Sequence, residues 1–159
     1  MFVRIVLVGL LISIVPFGLF GQAENGPATP ADSLKVVRHD LGLSDSQFGR
    51  VKELAEARKE QMQTIQQQAK PAFEELVKLL KQPDPDPQAV NEAANAFQEI
   101  HDRAITEQAK STKAFLNVLN PDQQETVNKL QSKDALALAL DQLGLLTAEK
   151  QQETHVIVQ

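Results

Sequence analysis

Few side chains in this sequence could carry chemistry, and its three histidines are the best candidates for metal ligands. Two ligands on one helix must stand three or four residues apart, so that both face the ion. The residues at those spacings from His39 and His101 include no strong ligand. His155 has only glutamines at that spacing on its N-terminal side. We therefore predict no metal site within one chain, while a site shared between two chains stays open.

The sequence supports catalysis no better. It has no glycine-rich phosphate loop, no cysteine to serve as a thiol nucleophile, and no serine arranged with a histidine and an acid. The carboxylates Glu74 and Glu75 are adjacent, so on a helix they point to different sides and cannot act as a pair. We predict that the protein is not an enzyme and uses no cofactor.

The spacing of apolar residues predicts one long helix over the segment from Ser44 to Lys81. Apolar side chains recur there in steps of three, four and seven, which is typical of a helix packed against a partner helix. Arg58 falls on this apolar stripe, where its stem can pack while its charged head reaches water. Pro71 removes a backbone donor and predicts a kink or a break.

A second long helix is predicted to follow. The segment "QPDPDPQ", residues 82–88, has three prolines in five positions and predicts a reversal of the chain. The segment from Gln88 to Leu119 repeats the apolar stripe, and a short helix from Ser33 to Leu41 precedes the pair. The predicted fold is all-α, a long kinked antiparallel helical hairpin with short flanking helices.

The N-terminal residues resemble a secretory signal. A short basic start with Arg4 leads into the nearly unbroken apolar run 5–20, and small residues follow at 21–23. We predict cleavage after residue 23. An uncleaved membrane anchor is the alternative, although Pro16 interrupts the run, which falls short of the roughly 20 residues that a spanning helix needs.

The rest of the chain is expected to form one domain outside the cytoplasm. We assign residues 24–31 to a flexible segment, 32–131 to the hairpin domain and 132–159 to a short helical extension. The formal charge is −5, and it would become −6 once Arg4 is removed with the signal. That acidity argues against binding to nucleic acid, and no segment after residue 23 is apolar enough to enter a membrane.

A short motif recurs at predicted helix starts. In the first copy Ser44 caps the helix, Gln47 closes a reciprocal capping box, and Leu43 packs on the following turn. In the second copy Asn120 is the cap and Pro121 takes the first helical position. The motif residues are Leu43, Ser44, Gln47, Leu119, Asn120 and Gln123. A third copy at Thr147 is incomplete, because Lys150 stands in place of the glutamine.

A longer repeat links "DSLKVVRHDLGLSDSQ" to "DALALALDQLGLLTAEKQ". Each copy reads as a short apolar helix, a Leu-Gly-Leu stop and a new helix cap. This pattern indicates an internal duplication. Whether the C-terminal copy packs on the hairpin or mediates assembly is left open by the sequence.

The signal segment and the two motifs around a helical hairpin resemble the LTXXQ-motif periplasmic proteins of the Spy/CpxP type. The resemblance covers residues 33–131, with Ser44 and Asn120 in place of the usual threonine. It implies a periplasmic, cradle-shaped homodimer that binds unfolded or partly folded envelope proteins without ATP. An adaptor or regulator of an envelope-stress sensor and a metal-binding sensor are the alternatives within the same family.

The apolar stripe and its basic neighbours supply candidate client contacts, because soluble proteins retain exposed apolar surface mainly for partners. Basic side chains add attraction for acidic clients. The competing interpretation is that the apolar residues are simply the core of the hairpin. The candidates are Arg58, Lys59, Met62, Ile65, Lys70, Phe73, Phe97, Ile100 and Phe115.

Overall fold

The computed structural model describes residues 29–146. The predicted signal, residues 24–28 and the third motif copy at Thr147 lie outside the described residues. The described part folds into five helices and no strand, which confirms the all-α prediction. The helices are α1 (Pro30–Asp40), α2 (Asp45–Leu80), α3 (Pro87–Val118), α4 (Pro121–Asn128) and α5 (Ala135–Gln142).

Helices α2 and α3 form the predicted hairpin. At 1.5 Å per residue they are about 54 and about 48 Å long. The chain reverses over residues 81–86, where Asp86 caps α3 by accepting from the backbone N–H of Gln88 at 3.0 Å. Pro87 occupies the first helical position, where its missing N–H leaves no helical hydrogen bond unmade.

One predicted boundary differs from the structure, and of the kink or break predicted at Pro71 the break is absent. Helix α1 begins at Pro30 rather than Ser33, because Thr29 caps it and proline suits the first turn. The last residues assigned to the flexible segment are therefore helical. Pro71 does not break α2, whose helical conformation continues to Leu80. The side chain of Pro71 is exposed, so the carbonyl that loses its helical partner can be hydrated.

The hydrophobic core lies at one end of the molecule, which we call the base. The first turns of α2 and the last turns of α3 meet α1, α4 and α5 there. Phe115, Leu140 and Leu145 are among the largest fully buried side chains. The described part of the C-terminal extension, residues 132–146, thus packs on the hairpin at its base. The core residues are Val37, Leu41, Leu43, Val51, Ala55, Phe115, Leu119, Val127, Leu136, Ala139, Leu140, Leu143, Leu145 and Leu146.

The two copies of the Leu-Gly-Leu repeat end their helices in the same way. Gly42 follows α1 with φ of +57° and Gly144 follows α5 with φ of +66°, which is the left-handed region that favours glycine. In each copy the next leucine donates its N–H back to a carbonyl five residues earlier, Leu43 to Arg38 at 3.0 Å and Leu145 to Leu140 at 2.9 Å. The two repeats are therefore similar in the conformation of their helix ends as well as in sequence.

The two repeats also pack against each other, since α1 lies along α5. The fully buried hydroxyl of Ser33 on α1 donates to the side-chain oxygen of Gln142 on α5. The carbonyl oxygen of Thr29 lies 3.2 Å from the same hydroxyl oxygen, so the single O–H group has an acceptor within reach on each side.

Both predicted capping boxes are present. In the first, the N–H of Gln47 donates to the Ser44 hydroxyl at 3.3 Å, and the N–H of Ser44 donates to the Gln47 side-chain oxygen at 3.1 Å. In the second, Asn120 and Gln123 exchange the equivalent bonds, each at 2.9 Å. Two donors at each helix start are thereby satisfied.

The two glutamines also bond to each other. The amide nitrogen of Gln47 donates to the side-chain oxygen of Gln123 at 2.8 Å and to the carbonyl of Val118 at 2.9 Å. The amide nitrogen of Gln123 donates to the carbonyl of Leu41 at 2.9 Å. The pair therefore joins the starts of α2 and α4 to the ends of α3 and α1.

These contacts explain why each motif ends in glutamine rather than glutamate. Either side chain offers an oxygen that can complete a capping box. Only the amide also offers the N–H groups that reach the carbonyls of Leu41 and Val118. A carboxylate would set negative charge against those carbonyl oxygens.

Replacing Ser44 with alanine removes one acceptor at the start of α2. We expect Ser44→Ala to lower the free energy of unfolding by about 1 kcal/mol, measured by urea denaturation. Ser46→Ala, at an exposed serine two positions on, is the matched control. Equal free energies of unfolding for Ser44→Ala and Ser46→Ala would contradict the account of the cap.

Gln123→Glu keeps the capping oxygen of a buried side chain and removes its N–H donors. We expect a loss of about 3 kcal/mol at pH 7. Burial beside carbonyl oxygens raises the pKa of the new carboxyl in the folded state, so the loss should shrink as pH falls toward 4, where the acid is protonated and donates. Urea titrations at both pH values measure this. Equal stability of Gln123→Glu and of the exposed control Gln88→Glu would contradict the account.

Candidate functional site

Beyond the base, the hairpin continues as two helices alone. We call residues 60–104 the distal arm. Its buried apolar side chains are Ile65, Leu76 and Ala104, which lie between α2 and α3. The other apolar residues of the inward faces remain partly open to solvent, since a second layer of helices covers the hairpin only at its base.

The arm has an apolar edge toward its tip. Phe73 is 36% exposed and Leu80 is 57% exposed, although both lie on the inward stripe of α2. The ring of Phe73 contacts Phe97 of α3 with centroids 5.6 Å apart and planes tilted by 49°. A shallow, open depression of about 450 Å³ lies beside Phe73 and Val77, with charged side chains at its rim. This edge can accept apolar groups of a partner without rearrangement of the helices.

Polar contacts tie the two helices together between the base and this edge. The amide nitrogen of Gln61 donates to the Glu107 carboxylate at 2.5 Å. Lys110 donates to the other oxygen of Glu107 at 2.7 Å. The bonds from Lys110 and then from Gln61 are the largest causes that lower the pKa of the Glu107 carboxyl below its ordinary value. Further out, Arg103 donates to the side-chain oxygen of Gln68.

The structure separates the nine predicted client contacts into two groups. Arg58, Ile65 and Phe115 are buried, so they offer no surface to a client in this conformation. For Ile65 and Phe115 the competing interpretation as core describes their position: Ile65 lies between the two long helices and Phe115 within the base. Arg58 is buried as well, although its charged head was expected to reach water. Their predicted client role would require the helices to separate. The six that keep exposed surface are Lys59, Met62, Lys70, Phe73, Phe97 and Ile100.

Two exposed apolar residues were not among the predicted contacts. Leu80 ends the stripe of α2, and its position next to the turn leaves it without cover. Ile105 is also 57% exposed, but it lies about 100° around α3 from the buried Ala104. Leu80 could have been chosen from the sequence as the outermost stripe residue, whereas nothing in the periodicity singles out Ile105.

The histidines do not assemble a metal site within the described residues, where no three histidine, cysteine or acidic side chains are grouped to hold an ion. His39 is exposed and contacts Asp40 at 2.8 Å. His101 is half-buried on α3, and its Nδ1 atom lies 3.9 Å from Oδ1 of Asp102. His155 lies outside the described residues. No helix in residues 29–146 is long and apolar enough to cross a membrane.

Comparison with known proteins identifies a family. The sequence model of the Metal_resist family, described as heavy-metal resistance, matches residues 3–126. The match spans α1 to α3 and most of α4, includes both capping motifs, and stops before α5. No curated protein and no solved structure matched the chain. The matched family is related to the LTXXQ and Spy/CpxP-type periplasmic helical proteins, and its members are typically periplasmic or secreted. The chain belongs to the heavy-metal-resistance family.

Proposed function

We propose that the protein is a periplasmic, ATP-independent chaperone that binds unfolded or partly folded envelope proteins and limits their aggregation. The observation that carries this proposal is the apolar edge of the distal arm, where Phe73, Phe97 and Leu80 stay accessible in a stably capped hairpin. Soluble proteins keep such surface mainly for partners. Resemblance to the Spy/CpxP type supports the same function.

The form of the edge suits unfolded chains. Apolar contact is non-directional and follows the area removed from water, so a shallow edge can accept many sequences. Unfolded proteins present short apolar segments separated by polar ones, and the edge offers separated apolar side chains among charges. Exposed Lys59 and Lys70 can form local ion pairs with acidic groups of a client. Release would follow from folding of the client, which withdraws its own apolar groups.

The cradle-shaped homodimer belongs to this proposal. A thin two-helix arm leaves apolar area on more than one side, and pairing of two chains would cover part of it. The part left uncovered would then be the client surface. Met62 and Ile100 are half-buried within one chain and would lie at the boundary between these two uses.

A second candidate is a metal-binding sensor, because heavy-metal resistance is the description of the family. The donors described in one chain do not fit a metal centre, since they form no group of three. A site of this kind would therefore combine His39 or His101 with donors of a second chain or of residues outside 29–146. The third alternative, an adaptor of an envelope-stress sensor, predicts one specific partner instead of many clients.

The chaperone proposal is tested by the light scattering of an aggregating client without ATP. We expect suppression near equimolar ratio, and we expect Phe73→Ser with Leu80→Ser to weaken it. Each substitution removes about 1 kcal/mol of binding free energy by reducing apolar contact with the client. The double variant should therefore bind the client about thirtyfold more weakly. Leu80→Ser alone should change thermal unfolding little, since Leu80 is 57% exposed, whereas Phe73→Ser also removes the ring contact with Phe97. Binding is therefore compared at a temperature where each variant is fully folded.

Ile105→Ser is the matched control, because Ile105 has the same exposure as Leu80 on another face of the hairpin. It should suppress aggregation like the unmodified protein. No suppression by the unmodified protein would reject the chaperone proposal. Titration calorimetry with Zn²⁺ and Cu²⁺ would then test the metal-sensor candidate, which requires stoichiometric binding.

A further inference from the structure

Arg58 is a buried charge whose donors are only partly used. It is 5% exposed, and its Nη2 group donates to the side-chain oxygen of Gln108 at 2.5 Å. The Nε and Nη1 groups are buried and have no hydrogen-bond partner within residues 29–146. No acid among these residues forms an ion pair with Arg58. A guanidinium keeps its proton in proteins, so the folded base holds a poorly solvated cation.

The segment of residues 143–146, which we call the α5 turn, covers this charge. A Cβ atom at Gly144 would lie 3.0 Å from Cγ of Arg58, so the arginine stem packs directly on the turn. Leu145 and Leu146 of the same turn are buried in the core of the base. The turn therefore adds apolar side chains to the core and at the same time keeps water from the guanidinium.

Few directional contacts hold the α5 turn to the hairpin. All of its backbone N–H groups donate to carbonyls of α5, and α5 itself lies along α1, where Gln142 accepts from the hydroxyl of Ser33. Among the described residues, one hydrogen bond joins the turn to the hairpin, from the amide of Gln108 to the carbonyl of Gly144 at 3.0 Å. Because α5 is held by α1, the turn can leave the hairpin by unwinding from the end of α5.

We propose that the α5 turn is a lid that opens from the hairpin while the rest of the base stays folded. Opening lets water reach the Nε and Nη1 groups of Arg58, and this hydration offsets part of the cost of exposing Leu145 and Leu146. Burial of those leucines keeps the closed state the main one, while opening costs less than unfolding of the whole base. The lid does not depend on chaperone activity, since it lies at the base and not on the distal arm.

Two substitutions at one contact separate a lid from a fixed structural contact. Arg58→Met keeps an unbranched apolar stem and removes the charge, and replacing a buried charge with an apolar side chain can be stabilising. It should therefore hold the turn closed more firmly. Gln108→Met removes the hydrogen bond between hairpin and turn and takes away the acceptor of Arg58, so it should loosen the turn. If Arg58 only tethered the turn, both substitutions would loosen it.

The test is native-state hydrogen–deuterium exchange of the full chain, followed by nuclear magnetic resonance at increasing urea below the unfolding transition. The reporter of the lid is the backbone N–H of Leu145, which donates to the carbonyl of Leu140 at 2.9 Å and is freed when the turn unwinds. The reporter of the base is the N–H of Val51, a fully buried residue of α2. Arg50→Met, at an exposed arginine of the same helix, is the matched control.

In the unmodified protein we expect Leu145 to exchange faster than Val51 and with little dependence on urea, because local opening exposes little surface. Arg58→Met should slow the exchange of Leu145 about tenfold. Gln108→Met should speed it, and Arg50→Met should leave it unchanged. Equal urea dependence of Leu145 and Val51 would overturn the proposal even if a variant did not fold. Unchanged or faster exchange of Leu145 in a folded Arg58→Met variant would also overturn it.

Discussion

The amide pair of Gln47 and Gln123 is the interaction on which the rest of the structure depends. The side-chain oxygen of each glutamine completes the cap of its own helix. The amide nitrogen of each donates to a carbonyl at the end of another helix. Four helix ends therefore meet at one polar point beside the hydrophobic core of the base. Buried polar groups with all partners in place define one geometry, because any displacement leaves an unpaired donor or acceptor.

Because the base holds the hairpin together, the apolar side chains of the arm can remain partly exposed. The core of the base collects side chains from all five helices, whereas the arm has little more than Ile65, Leu76 and Ala104 between its two helices. Stability supplied mainly at one end means that Phe73 and Leu80 need not be buried to keep the hairpin folded. An exposed apolar edge on a stable support is what a protein needs if it binds unfolded chains without energy input.

Local signals in the sequence predicted much of this fold. The stripes predicted both long helices, three prolines predicted the turn, and Ser44 and Asn120 were identified as caps because a cap is decided within four residues. The second partners of Gln47 and Gln123 could not be predicted, since they lie more than 70 residues away in the chain. Arg58 was expected to reach water, but the turn at Gly144 that follows α5 packs on its stem.

The candidate site was less predictable than the fold for the same reason. Phe97 and Phe115 have equivalent positions on the stripe of α3, yet one stays half-exposed on the arm and the other is fully buried in the base. Periodicity places both on the inward face. Only the length of hairpin that α1, α4 and α5 cover decides which of them can meet a partner.

The most direct test of this account is hydrogen–deuterium exchange with and without an unfolded client protein. If the arm binds the client and the base only supports it, the backbone amides of residues 60–104 exchange more slowly when the client is present. Exchange around Gln47, Gln123 and α5 then stays unchanged. Client-dependent protection confined to the base, with none on the arm, would contradict the division of roles between the two parts of the molecule.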